Sequence, residues 1–288
     1  MYIGILPSKL HKDLVSELKR SILFFDKIGI PAVNNQKSYL SQDDVSEELK
    51  SILPEIDFLQ EQNLLFDSWP AGQTINLDDG DFHKMQDELN AVAKVSEESN
   101  DSDIYAEGMA RVSATTMNMM TKDNETTISV PILNKFKFPN ELKLNNSDVV
   151  KIIINNIPIA NENTPWEDIL NFKKDPDNIG RLATLRNWNH KVLKSNYSVL
   201  ELKDEVESLM YYYEKSLQIH KIKYYKTIGE TVFAGGLEVI ENVAKFKGSE
   251  ISKKYFEVRR IQAELLSIEL NAPGKELAFI QRAKEVFK

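Results

Sequence analysis

The sequence predicts an α/β domain followed by an all-α helical bundle, with the change near residue 160. Three observations carry that prediction. Strand, helix and strand patterns succeed one another within about thirty residues of Met1. The segment Thr164-Pro165-Trp166-Glu167 has the form of a helix start, and apolar residues at 3–4 spacing dominate the chain beyond it. Residues 1–160 are therefore expected to form a small, mainly parallel sheet with flanking helices, and residues 161–288 a bundle.

Tyr2-Ile3-Gly4-Ile5-Leu6-Pro7 is a short apolar run stopped by proline, the pattern of a buried strand. Leu10, Leu14, Leu18 and Ile22 then keep helical spacing, and Leu23 to Ile30 reads as a second strand closed by Pro31. Together these make a βαβ unit. Ser41 opens a helix whose apolar face is Val45, Leu49, Ile52, Ile56 and Leu59, kinked or split by Pro54. Leu64-Leu65-Phe66 is a third, short strand.

Residues 68–81, rich in Pro, Gly and Asp, read as a loop. Their acidity suggests calcium, but with Asn76 in the first position Gly80 falls one place short of where an EF-hand needs glycine. A solvated acidic loop fits better. Met85, Leu89, Val92 and Val95 mark an amphipathic helix, and a Ser/Asn/Asp cluster at 99–103 caps another through Ile104, Gly108, Val112, Thr115 and Met119. Met117, Met119 and Met120 read as filler for irregular core gaps. Thr126–Leu133 and Val149–Ile157 read as two further strands, the second central because it is nearly all β-branched.

At the junction, Thr164 is expected to accept from the Glu167 amide, Glu167 to reach back to the Thr164 amide, and Pro165 to occupy the first helical position. Trp166, Ile169, Leu170 and Phe172 line that helix; Asp175-Pro176 ends it and starts the next, which carries Ile179, Leu182, Leu185 or Arg186, Asn189, Val192 and Leu193. Ser198 and Glu201 form a second capping box. Behind it Leu202, Val206, Leu209, Tyr213, Leu217, His220 and Tyr224 give the clearest periodicity in the chain. His220 lies on that stripe as a packed histidine.

Gly235-Gly236 interrupts the next helix, for close helix approach or as a hinge. Ser249 caps a helix with Ile251, Tyr255, Val258, Leu265 and Ile268, and Asn271-Ala272-Pro273-Gly274 turns into a last helix with Leu277, Ile280 and Phe287. Short connections between long helices imply antiparallel neighbours. The stripes at 202–224 and 251–268 are long enough to suggest a homodimer.

The net charge of −8 is unevenly placed: residues 1–180 hold 17 Lys+Arg against 30 Asp+Glu, and residues 181–288 hold 19 against 14. The acidic front argues against nonspecific nucleic-acid binding there, while the basic rear leaves room for an anionic partner. With no cysteine, disulfides, cysteine-ligated metals and cysteine nucleophiles are excluded. Pro7, Lys9, His11, Lys12 and Asp13 break any signal-peptide order, and no uncharged apolar stretch reaches membrane-span length. The expectation is a cytoplasmic protein that meets no membrane.

No dinucleotide fingerprint, P-loop, zinc-protease motif or nucleophile elbow occurs. His11, His83, His190 and His220 lack metal-ligand spacing, so no metal or other cofactor is expected. Asp26 is the one acid near the end of a predicted strand, where α/β sites commonly lie. Asp67 follows the third strand, and the pair would suit a metal-dependent nuclease. Lys221, Lys223, Tyr224, Tyr225 and Lys226 interleave basic and aromatic residues, as nucleic-acid surfaces do. Packed tyrosines beside solvated lysines explain the same pattern.

Phe24-Phe25-Asp26-Lys27-Ile28, the run from Pro158 through Thr164-Pro165-Trp166-Glu167 to Lys173, and Leu182-Ala183-Thr184-Leu185-Arg186-Asn187-Trp188 resemble a group of uncharacterised bacterial proteins of about 300 residues. The resemblance covers most of the chain, with the Thr-Pro-Trp-Glu helix start its distinctive mark. It implies a bacterial cytosolic protein and supplies no catalytic residues; orphan proteins of this kind sometimes belong to accessory or defence systems. The expected function is a non-catalytic interaction protein whose helical half binds a protein partner or itself. The alternative is a degenerate nuclease or nucleotidyl enzyme using Asp26 and another carboxylate.

Overall fold

The computed structural model describes residues 1–8, 11, 13–69, 77–99, 101–122, 127–133, 146–158, 160, 163–195, 197–219 and 267–287. Tyr2–Ile5 forms β1, buried at every position. It pairs in parallel with β2 (Lys27–Ile30) on one side and β4 (Ile128–Pro131) on the other, and β2 pairs with β3 (Leu65–Asp67). The order β3-β2-β1-β4 places the reversal of winding between β1 and β4.

Alternation along β1 builds two cores. Tyr2 and Leu6 belong to the larger cluster, whereas Ile3 and Ile5 face a smaller one with Met85, Val92, Ala110, Val112 and Leu133. The smaller core is covered by the paired helices α5 (Asp79–Ser99) and α6 (Ser102–Met120), α6 lying against β1 and β4. On the larger side lie α1 (Leu14–Phe24), α2 (Val33–Leu40), the single turn α3 (Glu47–Lys50), α4 (Leu53–Glu61) and α7 (Asn146–Asn156). The same core continues into α8 (Trp166–Lys174), α9 (Pro176–Leu193), α10 (Val199–Ile219) and, after a 3-10 turn, α11 (Ala278–Val286). Residues on both sides of position 160 thus share one apolar interior.

Several sequence expectations match these elements. Pro54 separates α3 from α4, where it sits in the first turn. Asp175 caps α9 through the Asp177 and Asn178 amides, each at 3.0 Å, with Pro176 in the first turn. The Ser198–Glu201 box forms in both directions, at 2.7 and 3.3 Å. The α10 stripe is buried at Leu202, Val206, Tyr213 and Leu217. The acidic loop read over 68–81 matches only as far as Asp78, which accepts from the Asp81 amide at 2.8 Å; Asp79–Asp81 already belong to α5, Asp81 is buried, and both Asp78 and Asp81 hold Lys122. The Gly235-Gly236 interruption and the helix start at Ser249 lie outside the described residues.

Four expectations are corrected. Val149–Ile157 is not a strand: Asn146–Asn156 is the helix α7, because Val149, Val150, Ile153, Ile154 and Ile157 also fall on one helical face, with Asn155 exposed opposite. Packing overrides β-branched composition here. The Thr164 capping box is not formed; Pro165 is the N-cap of α8, and no side chain caps it. Leu23 and Phe24 extend α1, so β2 begins only at Lys27. Met120 is exposed rather than core filler.

In place of the cap, Trp166 anchors α8. Its ring stacks on Phe58 at 6.3 Å, Lys19 lies over it at 5.6 Å, and its indole N–H donates to Glu55. Farther on, Arg181 of α9 forms a buried bidentate pair with Glu269, its Nη2–Oε2 distance 2.8 Å. Gly274, at φ 81°, lets the next turn press on α10, where a Cβ would overlap the Leu209 carbonyl. Among the described residues, no helix is long and apolar enough to cross a membrane.

Candidate functional site

The longer α1 changes where Asp26 lies. It sits between α1 and β2, at the amino edge of the sheet, and its amide donates to the Tyr2 carbonyl at 2.8 Å. Asp67 lies at the opposite edge, in register with Ile30. Four residues of extended strand hold the two acids roughly 13 Å apart along the sheet. The structure does not bring them together.

Asp67 is occupied by backbone. Its Oδ1 accepts from Ala32 N at 2.9 Å and Trp69 N at 3.1 Å, and its Oδ2 from Asn34 N at 3.2 Å. The Ala32 and Asn34 amides begin α2, where Ala32 takes a left-handed φ of 55°. A carboxylate at a helix N-terminus meets both the free amides and the helix dipole. That is a structural task.

Asp26 opens on a cleft of about 380 Å³ lined by Tyr2, Asp26 and Lys173 and by one face of α9. The α9 residues Ile179, Leu182, Ala183, Arg186, Asn187 and His190 keep helical spacing, so one helix supplies an apolar end and a polar end. Arg186 Nη2 lies 3.0 Å from Asp26 Oδ1 and also donates to the Phe24 carbonyl. The guanidinium stands 4.8 Å from the centre of the Tyr2 ring. Asp26 Oδ2 accepts from Tyr2 N at 2.7 Å. Tyr2 Oη and His190 Nε2 share a 2.7 Å hydrogen bond. Lys173 of α8 donates to the Ile22 carbonyl at 2.7 Å and to that of Phe25.

Two cations from the helical half thus satisfy the carbonyls at the carboxyl end of α1, the negative end of its dipole. Phe25 completes the closure by lying against β1, where a Cβ on Gly4 would come within 2.5 Å of its ring. Burial opposes ionisation of Asp26, but the Tyr2 amide and Arg186 outweigh it and hold the carboxyl below its ordinary range. Burial pushes the Lys173 amine down to about 8, with Asp26 opposing and Arg186 reinforcing that shift. Burial likewise raises the Tyr2 phenol.

Chemically this is a cationic cleft containing one engaged carboxylate. A divalent ion needs several oxygen ligands and would meet Arg186 and Lys173 here. Among the described residues, no group of three or more His, Asp or Glu is placed to hold a metal. Lys221, Lys223, Tyr224, Tyr225, Lys226 and His220 lie outside the described residues. Sequence reasoning singles out Asp26 but not Lys173, Tyr2 or His190 beside it. The available signal was polar: Arg186 and His190 are one turn apart on a face that Ile179 and Leu182 make otherwise apolar. Against known protein families, curated proteins and solved structures alike, the chain gives no significant match.

Proposed function

We propose that the chain is a non-catalytic interaction protein, with the helical half contacting a protein partner or a second copy. The carrying observation is an aromatic pair on the outer face of α10. Tyr211 and Tyr212 are each 56% exposed, with ring centroids 5.5 Å apart and Lys215 over Tyr211. Leu200, 68% exposed, lies three turns earlier on the Tyr211 side. Exposed tyrosines beside an apolar residue are the side chains that dominate interface energies. The cleft supports the same reading, because its one carboxylate, Asp26, is engaged by the Tyr2 amide and Arg186 rather than free for catalysis. The resemblance to uncharacterised bacterial proteins is consistent with an accessory role.

Light scattering of the purified chain, wild type against Y211E/Y212E, tests self-association; a dimer lost in the double variant supports the second-copy form. For a foreign partner, a protein captured from the source cell must bind the purified wild type and lose at least tenfold in affinity to the double variant. The enzyme alternative needs nuclease or nucleotide turnover that disappears in D26N while the fold persists. Finding that turnover would overturn the proposal.

A further inference from the structure

We infer that the cleft between α8, α9 and the amino edge of the sheet is a binding site for a small aliphatic carboxylate, independent of any protein partner. Its shape points there first. About 380 Å³ falls in the range of small-ligand sites. The α9 wall sets Ile179, Leu182 and Ala183 at one end, and Arg186 and His190 at the other, two to three turns apart at most. An apolar tail and an anionic head fit that division.

Unused donors point the same way. Lys173 Nζ carries three hydrogens and directs two bonds at the Ile22 and Phe25 carbonyls. Arg186 has five donor hydrogens. Three bonds run to the Phe24 carbonyl and the two oxygens of Asp26, the last at 3.4 Å, which leaves the second Nη1 hydrogen outside those bonds. Charge selects the sign of the ligand. One carboxylate faces two cations, and the α1 carbonyls supply only partial negative charge. A monoanion completes the balance, whereas a metal cation would worsen it.

The probes are sodium butyrate, sodium acetate and inorganic phosphate, titrated calorimetrically into the full chain at fixed ionic strength with chloride as balance. One saturable site is expected for butyrate, about tenfold tighter than acetate because the extra methylenes leave water. Phosphate is expected to bind more weakly than butyrate. Ala183 and Asn187 are exposed on the rim, so A183W and N187W should block the cleft while each keeps the wild-type circular dichroism spectrum. Loss of butyrate binding in either folded variant supports the site. No saturation with any of the three probes overturns it, as does butyrate binding unchanged in both variants. Tighter binding of phosphate than of butyrate overturns the carboxylate assignment.

Discussion

Arg186 and Asp26, 160 residues apart, meet at 3.0 Å across the join between α9 and the sheet. Arg186 is 17% exposed and Asp26 36%, so water screens the pair only in part. Removing the carboxylate charge strands a guanidinium and weakens the Tyr2 amide contact. D26N should therefore cost about 2–3 kcal/mol of unfolding free energy in urea. Loss below about 0.5 kcal/mol would mean the pair is a surface contact in energetic terms.

The three helix starts of the central region should respond differently. T164A is expected to be neutral within about 0.5 kcal/mol, since Pro165 caps α8 and Thr164 makes no cap bond. D175A and S198A each remove a formed cap and should each cost about 0.5–2 kcal/mol. Thermal melts of the three variants in one buffer make the comparison. A T164A loss equal to that of D175A contradicts this ranking.

Lys173 makes stability depend on pH above neutrality. Its folded value of about 8 lies below the ordinary 10.5, so between them the unfolded chain binds more protons. Stability from this group therefore rises with pH across that window; below about 8 both states are charged and the full burial cost remains. Asp26 and Arg186 are the charges facing it. Wild type should gain on K173M by on the order of 1–2 kcal/mol between pH 7 and pH 9.5. Urea curves for both proteins at the two pH values give the answer, and a gain of the opposite sign refutes the assignment.

Glu285 acts in the other direction. Burial pushes its carboxyl up to about 7, against the pull of Arg282 at 3.3 Å, with Glu269 adding to the rise. The folded chain keeps this proton at pH values where the unfolded chain has lost it. The resulting stability is complete below the ordinary 4.5 and is lost as pH climbs through about 7. E285Q, which imitates the protonated form, should leave the melting temperature unchanged near pH 4.5 and raise it at pH 8. A lower melting temperature at pH 8 would count against a buried, protonated Glu285.

What the sequence made legible was local and periodic. Leu202, Val206, Tyr213 and Leu217 declared α10, and Asp175-Pro176 declared the start of α9, because those signals act within a turn or two. The errors arose where two periods coexist in one stretch. Val149–Ile157 satisfies both a strand and a helix, and burial against α9 and β4 chooses the helix. Leu23 and Phe24 could extend α1 or begin β2, and that ambiguity moved Asp26 to the wrong edge of the sheet. Its neighbours in the cleft come from segments 24 and 147–164 residues away, distances no local pattern spans. The Thr164 box shows a further limit: residue types suited to a cap do not guarantee cap geometry when the next side chain but one, Trp166, is fixed by tertiary contacts.

The central position of β1 bears on how the chain is born. β2 ends at Ile30 and β4 begins at Ile128, so about a hundred residues separate the two partners of β1. At ribosomal speeds of roughly 5–20 residues per second, one edge of β1 waits some 5–20 s for its partner to be synthesised. During that interval Tyr2 to Ile5 offers unpaired amides and carbonyls beside an apolar surface, which favours strand pairing between nascent chains. Slower translation between those strands should lower the soluble yield, and the newborn chain gains from a chaperone that shields this edge until β4 arrives.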